Sequence, residues 1–185
     1  MTVKYDDQYR ITSSRLEHWD YGRYGRYFVT ICTRDHETWM GEIANGKMVL
    51  LDIGKMADEY WRQIADHFPY AKLDVFVIMP NHVHGIIIID KQDGWVSNKR
   101  RKTMSRPKIG GVTGNKNPML HDNLSRIIRW YKGRVTFESR KINPNFAWQP
   151  RFHDHIIRDD KSYHRISEYI INNVAKWPED RFYME

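Results

Sequence analysis

Residues 73–89 read LDVFVIMPNHVHGIIII. Pro80 and Asn81 mark a tight turn, so the flanking runs predict two antiparallel strands, Leu73 to Met79 and His82 to Ile89. From Gly85 to Ile89 apolar residues fall on both faces, the pattern of a central strand that is covered on both sides. Side chains alternate along a strand, so His82 and His84 leave one face while Val83 enters the opposite layer.

Upstream, Arg26 to Thr33 (RYFVTICT) is rich in β-branched and aromatic residues and predicts a first strand. Asn45-Gly46 between short apolar flanks predicts a hairpin within Met40 to Leu51. Asp52 is placed to cap a helix whose apolar face is Ile53, Met56, Tyr60, Ile64 and Phe68. Downstream, a second helix is expected from Asn123 to about Arg140, with Leu124, Ile128, Tyr131 and Val135 inward and Arg126, Arg129 and Arg134 outward. Phe152 to Arg158 predicts the last strand. Asp159 or Asp160 can cap a final helix running to about Val174, ended by Trp177-Pro178. Leaving the hairpin aside, the order is β-α-β-β-α-β plus one helix. That predicts an α+β fold: a ferredoxin-like antiparallel sheet with helices on one face and a C-terminal helix that bears Tyr169. Residues 1–185 read as one domain with a basic mobile loop at about 91–118.

With 41% hydrophobic and 14% aromatic residues the chain can bury a core without disulfides, and Cys32 is its one cysteine, which excludes a cysteine zinc site. The longest apolar run, Ile86 to Ile89, is too short to span a bilayer, and MTVKYDDQYR carries charge where a signal peptide needs an apolar stretch. A cytoplasmic protein with no membrane partner is the expectation. The net charge of +7 is concentrated: between Lys91 and Lys116 eight basic residues, Lys99, Arg100, Arg101 and Lys102 among them, face Asp93 alone. Such a stretch attracts polyanions through counterion release, or it is a solvated loop that happens to be basic.

Two neutral imidazoles on one strand face can share a divalent cation, or they can be ordinary packed histidines. A cation would need a further ligand from another element. The last helix offers Tyr169 and Asn173, four residues apart and so stacked on one face. A phenol one turn from an amide oxygen can attack a phosphate polarised by a metal that the amide helps to hold, or the pair can simply pack and end the helix. Tyr131 is a rival nucleophile, but its i+4 neighbour is Val135, which cannot ligate a metal. HDH at 153–155 is a rival histidine pair.

The HVH strand after MPN, the segment WQPRFHDHIIRD and the helix EYIINN together resemble the HUH-type single-tyrosine transposases, most of all the REP-associated tyrosine transposases and their insertion-sequence relatives. The likeness runs from about Arg26 to Trp177. It implies metal ligands His82, His84 and Asn173, a nucleophile Tyr169, and Mg²⁺ or Mn²⁺ as the ion. It also implies single-stranded or hairpin DNA as partner, cut and rejoined through a 5′-phosphotyrosine. Lys99, Arg100, Arg101, Lys102, Arg126 and Arg129 would contact phosphates, and Trp148 and Arg151 would place a base and a phosphate near the site. Insertion-sequence relatives act across a homodimer and REP-associated members as single chains. REP-associated members tend to carry Pro after the Asn, where this chain has Val174, a residue able to continue the helix. A DNA-binding regulator that does not cut and a phosphodiesterase that uses water are the rival functions.

Overall fold

The computed structural model describes residues 19–91 and 121–183, together with the backbone of residues 4–5 and 8–9. The expected contacts at Lys99, Arg100, Arg101 and Lys102 lie outside the described residues. Two short strands, β1 (Lys4–Tyr5) and β2 (Gln8–Tyr9), pair with each other. The sheet proper begins with β3 (Gly25–Cys32). A hairpin of β4 (Gly41–Ala44) and β5 (Lys47–Leu50) follows, turned by Asn45 and Gly46, both at positive φ (52° and 69°), as a two-residue hairpin turn requires. Then come α1 (Asp52–Arg62), the single turn α2 (Ile64–His67), β6 (Ala71–Ile78) and β7 (His82–Ile89). The chain continues with α3 (Leu124–Ile142), β8 (His153–Ile157) and α4 (Asp160–Asn172).

The four long strands align as β6-β7-β3-β8, every pair antiparallel. Numbered along the chain that order is 2-3-1-4, the ferredoxin-like arrangement expected from the element order. Alternation along β3 sends Tyr27, Val29 and Ile31 into one core and Phe28 and Thr30 to the other face. The register sets Thr30 opposite His84 on one side and His153 on the other. A slip of one residue would turn the histidines into the apolar core, so the pattern fixes the pairing.

Helices α1 and α3 cover the first face. Asp52 does not cap α1: Leu51 stands at the N-cap in extended backbone with no side-chain cap bond, and Asp52 sits in the first turn, bonded by Lys55. The buried face of α1 is also turned by one residue from that expected. Ile53, Ala57 and Trp61 are buried, followed by Ile64 and Phe68, while Met56 and Tyr60 are half-exposed. Gly85 explains the turn. A Cβ there would collide with the Trp61 ring and lie 2.9 Å from Phe76 Cβ, so the bare strand backbone admits the indole. Helix α3 starts as expected, with the Asn123 side chain accepting from the Arg126 backbone N–H. It buries Leu124, Ile127, Ile128, Tyr131 and Val135. The Tyr131 hydroxyl donates to the Ala57 carbonyl inside this core, which removes it as a rival nucleophile.

Helix α4 covers the other face, over Ile86 and Ile157, and Ile170 is its one fully buried apolar residue. Asp159 is its cap, accepting from Ser162 N–H, whereas Asp160 pairs with Arg26. The helix ends at Asn172 and Asn173 is the C-cap, so Val174 does not continue it. A 3-10 turn, Trp177–Glu179, then reverses the chain toward the histidines. Among the described residues no helix is long and apolar enough to cross a membrane.

Candidate active site

His82 and His84 lie side by side on β7, ring centroids 4.4 Å apart, and both are buried. The surroundings fix the protonation of His82. The Asn81 side-chain amide donates to the carbonyls of His36 (3.0 Å) and Phe182 (2.8 Å), which can only accept. Its Oδ1 therefore faces His82 Nδ1 at 2.8 Å, and Nδ1 carries the proton. Nε2 of His82 is left with a bare lone pair, buried and without a partner. His84 Nδ1 stands 2.9 Å from the Thr30 hydroxyl and its Nε2 3.0 Å from the Tyr169 hydroxyl. Burial pushes His82 down to about 3 and His84 well below the ordinary imidazole value, with the neighbouring histidine adding to each effect (His36 for His82, His82 for His84). Both rings are neutral, as ligation of a cation requires.

From the other side α4 presents Tyr169 and Asn173, one helical turn apart. The Tyr169 ring meets Phe28 edge-on at 6.2 Å yet keeps 42% of its surface exposed, so the phenol is both held and reachable. Burial raises its pKa first and the Asp180 charge second, and it stays protonated at neutral pH. The Asn173 amide donates to Asp180 Oδ2 at 2.9 Å, which leaves Asn173 Oδ1 buried and without a partner. Asp180 Oδ2 also accepts from the Tyr169 hydroxyl at 3.3 Å.

Asp180 escaped the sequence reading. It arrives because the tail folds back: the Phe182 ring lies 4.7 Å from His82 and stacks on His36 at 5.4 Å, while the Phe182 N–H donates to Asp180 Oδ1. The aromatic pair after a short charged run, at 182–183, is the one signal that this segment would dock. Ligand atoms of His82, His84 and Asp180 lie within 4.8 Å of one another, and among the described residues these three form the His/Cys/Asp/Glu cluster able to hold a metal. Acceptors converge there, and buried bare acceptors are costly unless a cation or donor satisfies them. The donor set of two imidazoles, one amide oxygen and one carboxylate suits a divalent transition ion and tolerates Mg²⁺.

The other expected contacts do not converge here. Trp148 is corrected from a base platform to a core residue: it is 6% exposed and packs against Tyr131 and Phe146 on the helix side. Arg126 is half-buried and paired with Asp122, Arg129 is exposed, and both sit on α3, across the sheet from Tyr169. Arg151 is exposed just before β8, where its carbonyl accepts from Lys132. His153 and His155 stand opposite Thr30 and Phe28 on the tyrosine face, but both are exposed and bring no further ligand with them.

No family model matches the chain. It is 38% identical over 189 residues to an uncharacterized protein of Haemophilus influenzae, with all of both chains covered. It is 24% identical over 186 residues to a second Haemophilus influenzae protein, described as a candidate REP-associated tyrosine transposase, covering 90% of this chain and 84% of that protein. Among solved structures it resembles a REP-associated tyrosine transposase bound to a REP hairpin, with a TM-score of 0.58, 21% identity, and 90% of this chain and 74% of that chain covered. The likeness to that structure is one of fold, and it agrees with the α+β sheet and helices described above. The chain thus shares the fold of a REP-associated tyrosine transposase and is similar in sequence to a protein described as one.

Proposed function

We propose that the chain cuts and rejoins single-stranded DNA beside a hairpin, with Tyr169 as nucleophile and a 5′-phosphotyrosine as intermediate. The observation that carries this reading is the pair of buried, partnerless acceptors, His82 Nε2 and Asn173 Oδ1, within the same cluster as a half-exposed phenol. A divalent cation, Mg²⁺ or Mn²⁺, held by His82, His84 and Asn173 with Asp180 in reach, would supply Lewis acidity that draws charge off the scissile phosphate. Tyr169 Oη forms the bond to phosphorus, the bond from phosphorus to the 3′-oxygen breaks, and that oxygen takes up one proton, the equivalent of the one the phenol gives up, to leave as a hydroxyl. Asp180, with Oδ2 3.3 Å from the phenol oxygen, takes the phenolic proton and passes it on to the departing 3′-oxygen, so no net proton is gained or lost. Thr30 orients His84, and Asn81 holds His82 in the tautomer that faces the site. Rejoining reverses the step with another 3′-hydroxyl, and the phosphotyrosine conserves the bond energy.

Tyr169 stands 3.0 Å from His84 of its own chain, which favours a single chain acting in cis over a homodimer that exchanges helices. The solved relative is bound to a REP hairpin, and a hairpin is accordingly the substrate expected here.

The test is a denaturing gel of hairpin DNA incubated with protein and Mn²⁺. With a 5′-phosphotyrosine, label at the DNA 3′ end travels with the protein, and label at the 5′ end is released on a fragment ending in a 3′-hydroxyl. Tyr169→Phe and the double variant His82→Ala, His84→Ala should each lose the adduct. Cleavage that persists in Tyr169→Phe, with free ends, would assign attack to water and overturn the proposal.

A further inference from the structure

Two open clefts lie along the outer face of α3 and meet at Gly133. The larger, about 710 Å³, is lined by Arg34, Lys132, Phe137, Arg140 and Lys141 against the segment 147–150. The smaller, about 400 Å³, is lined by Arg126, Arg129, Trp130 and Arg134 against His67 and Phe68. Neither lining contains a carboxylate. Arg126 pairs with Asp122, and Arg134 and Lys141 share Glu138, whereas Arg34, Arg129 and Arg140 have no ion pair among the described residues. The positions recur at helical spacing over 15 residues, a stripe of roughly 22 Å at 1.5 Å per residue.

Three features separate this stripe from an ordinary solvated face. Phe137 is 60% exposed in its middle, an apolar ring whose near contact is the Lys141 ammonium at 4.8 Å. Gly133 sits in the helix interior, where glycine is unfavourable, yet nothing lies within 4 Å of the place a Cβ would take. Packing therefore does not call for glycine there, and its effect is to leave the floor bare where the two clefts join. Lys132 is drawn inward instead of outward, and its ammonium donates to the carbonyls of Gln149 (2.5 Å) and Arg151 (3.2 Å), which holds the wall of the larger cleft.

We propose that this stripe is a second nucleic-acid contact, on the face of the sheet away from Tyr169, and that it takes an unpaired DNA strand flanking the hairpin. Arg129, Arg134 and Arg140 receive phosphates and Phe137 receives a base. An exposed ring in a stripe rich in cations suits unpaired bases, which offer a π-face, where a duplex offers its backbone. The inference rests on the reading of the chain as a DNA-processing protein but not on the chemistry at Tyr169.

The test is fluorescence anisotropy in EDTA, where no cutting occurs, with a labelled hairpin carrying single-stranded flanks and the same hairpin without them. Gly133→Glu places a carboxylate on the open floor without a clash. It should weaken binding of the flanked hairpin by about tenfold or more and leave the blunt hairpin unchanged. Phe137→Ala should weaken it by roughly 5-fold or more, the loss of one stacked base. Gly133→Ala should keep full affinity with an equal or higher Tm, which separates charge from any effect on the helix. Wild-type affinity in a folded Gly133→Glu protein would overturn the proposal. An equal loss for the blunt hairpin would overturn the assignment to an unpaired strand. Adduct formation by each variant on a short oligonucleotide reports on Tyr169 separately. A wild type that binds flanks through the stripe and forms no adduct would sink the cleavage reading and leave this one standing.

Discussion

On the helix side of the sheet the strands meet Trp61, Tyr131, Val135 and Phe146, all fully buried, while on the tyrosine side the buried apolar cluster is three isoleucines, Ile86, Ile157 and Ile170. The tyrosine side instead buries polar groups: Thr30, His82, His84 and Asn173. Apolar burial contributes in proportion to area, and large aromatic side chains cover the most. Buried acceptors without partners cost free energy. One face therefore holds the sheet together and the other carries the candidate site at a cost that the first offsets. The division also leaves α4, the helix with the phenol, more weakly anchored than α1 or α3.

The largest effect expected from this division is on stability. Trp61→Ala removes the indole that lies over Gly85 and should cost about 3–5 kcal/mol in urea unfolding. A loss below about 1 kcal/mol would mean that the helix-side core does not hold the sheet. Next, Mn²⁺ at 100 times its dissociation constant should stabilise the wild type by about 2.7 kcal/mol in calorimetry and leave the His82→Ala, His84→Ala protein unchanged. A shift that survived in the double variant would place the cation elsewhere. Ile170→Ala should cost about 2 kcal/mol, at the low end for such a truncation, and should speed hydrogen exchange in α4 while β7 stays protected. Equal loss of protection in both elements would erase the contrast between the faces.

The smallest effect is the pH dependence contributed by Lys132. Burial pushes its ammonium down to about 8, from an ordinary 10.5. Below pH 8 the folded chain bears the full cost of a desolvated charge. Between pH 8 and 10.5 the unfolded chain binds more protons, so stability rises with pH across that window. Relative to Lys132→Met the wild type should gain on the order of 1–2 kcal/mol from pH 8 to 10.5, after allowance for solvent screening. Melting temperatures of the two proteins across that range check it, and a difference flat with pH would mean that the ammonium is well hydrated.

What was legible in the sequence is what depends on local period. Alternation put His82 and His84 on one strand face, and helical spacing put Asn173 one turn from Tyr169. The order of the elements implied the 2-3-1-4 sheet, which brings those two pieces together. The misses share a different cause. Met56 and Tyr60 make as good an apolar stripe as Ala57 and Trp61 one residue on, and the choice falls to Gly85, more than twenty residues away, where a missing Cβ makes room. Trp148 reads the same in sequence whether it faces a base or a core, and only packing against Tyr131 decides. Asp180 joins the site through the reversal of the tail and the stacking of Phe182 on His36, contacts that no period encodes.

Asn81 ties two distant parts of the chain to one proton. A cation at His82 Nε2 favours the Nδ1–H tautomer, which favours Asn81 Oδ1 as acceptor and commits its amide hydrogens to the carbonyls of His36 and Phe182. Cation affinity and docking of the tail are thereby linked, and linkage is reciprocal: whatever factor the docked tail adds to cation binding, the bound cation returns to docking. On the proposed reading, freeing residue 182 would lower the affinity of the site for its ion by two routes, through Asn81 and through Asp180, whose Oδ1 accepts from the Phe182 N–H.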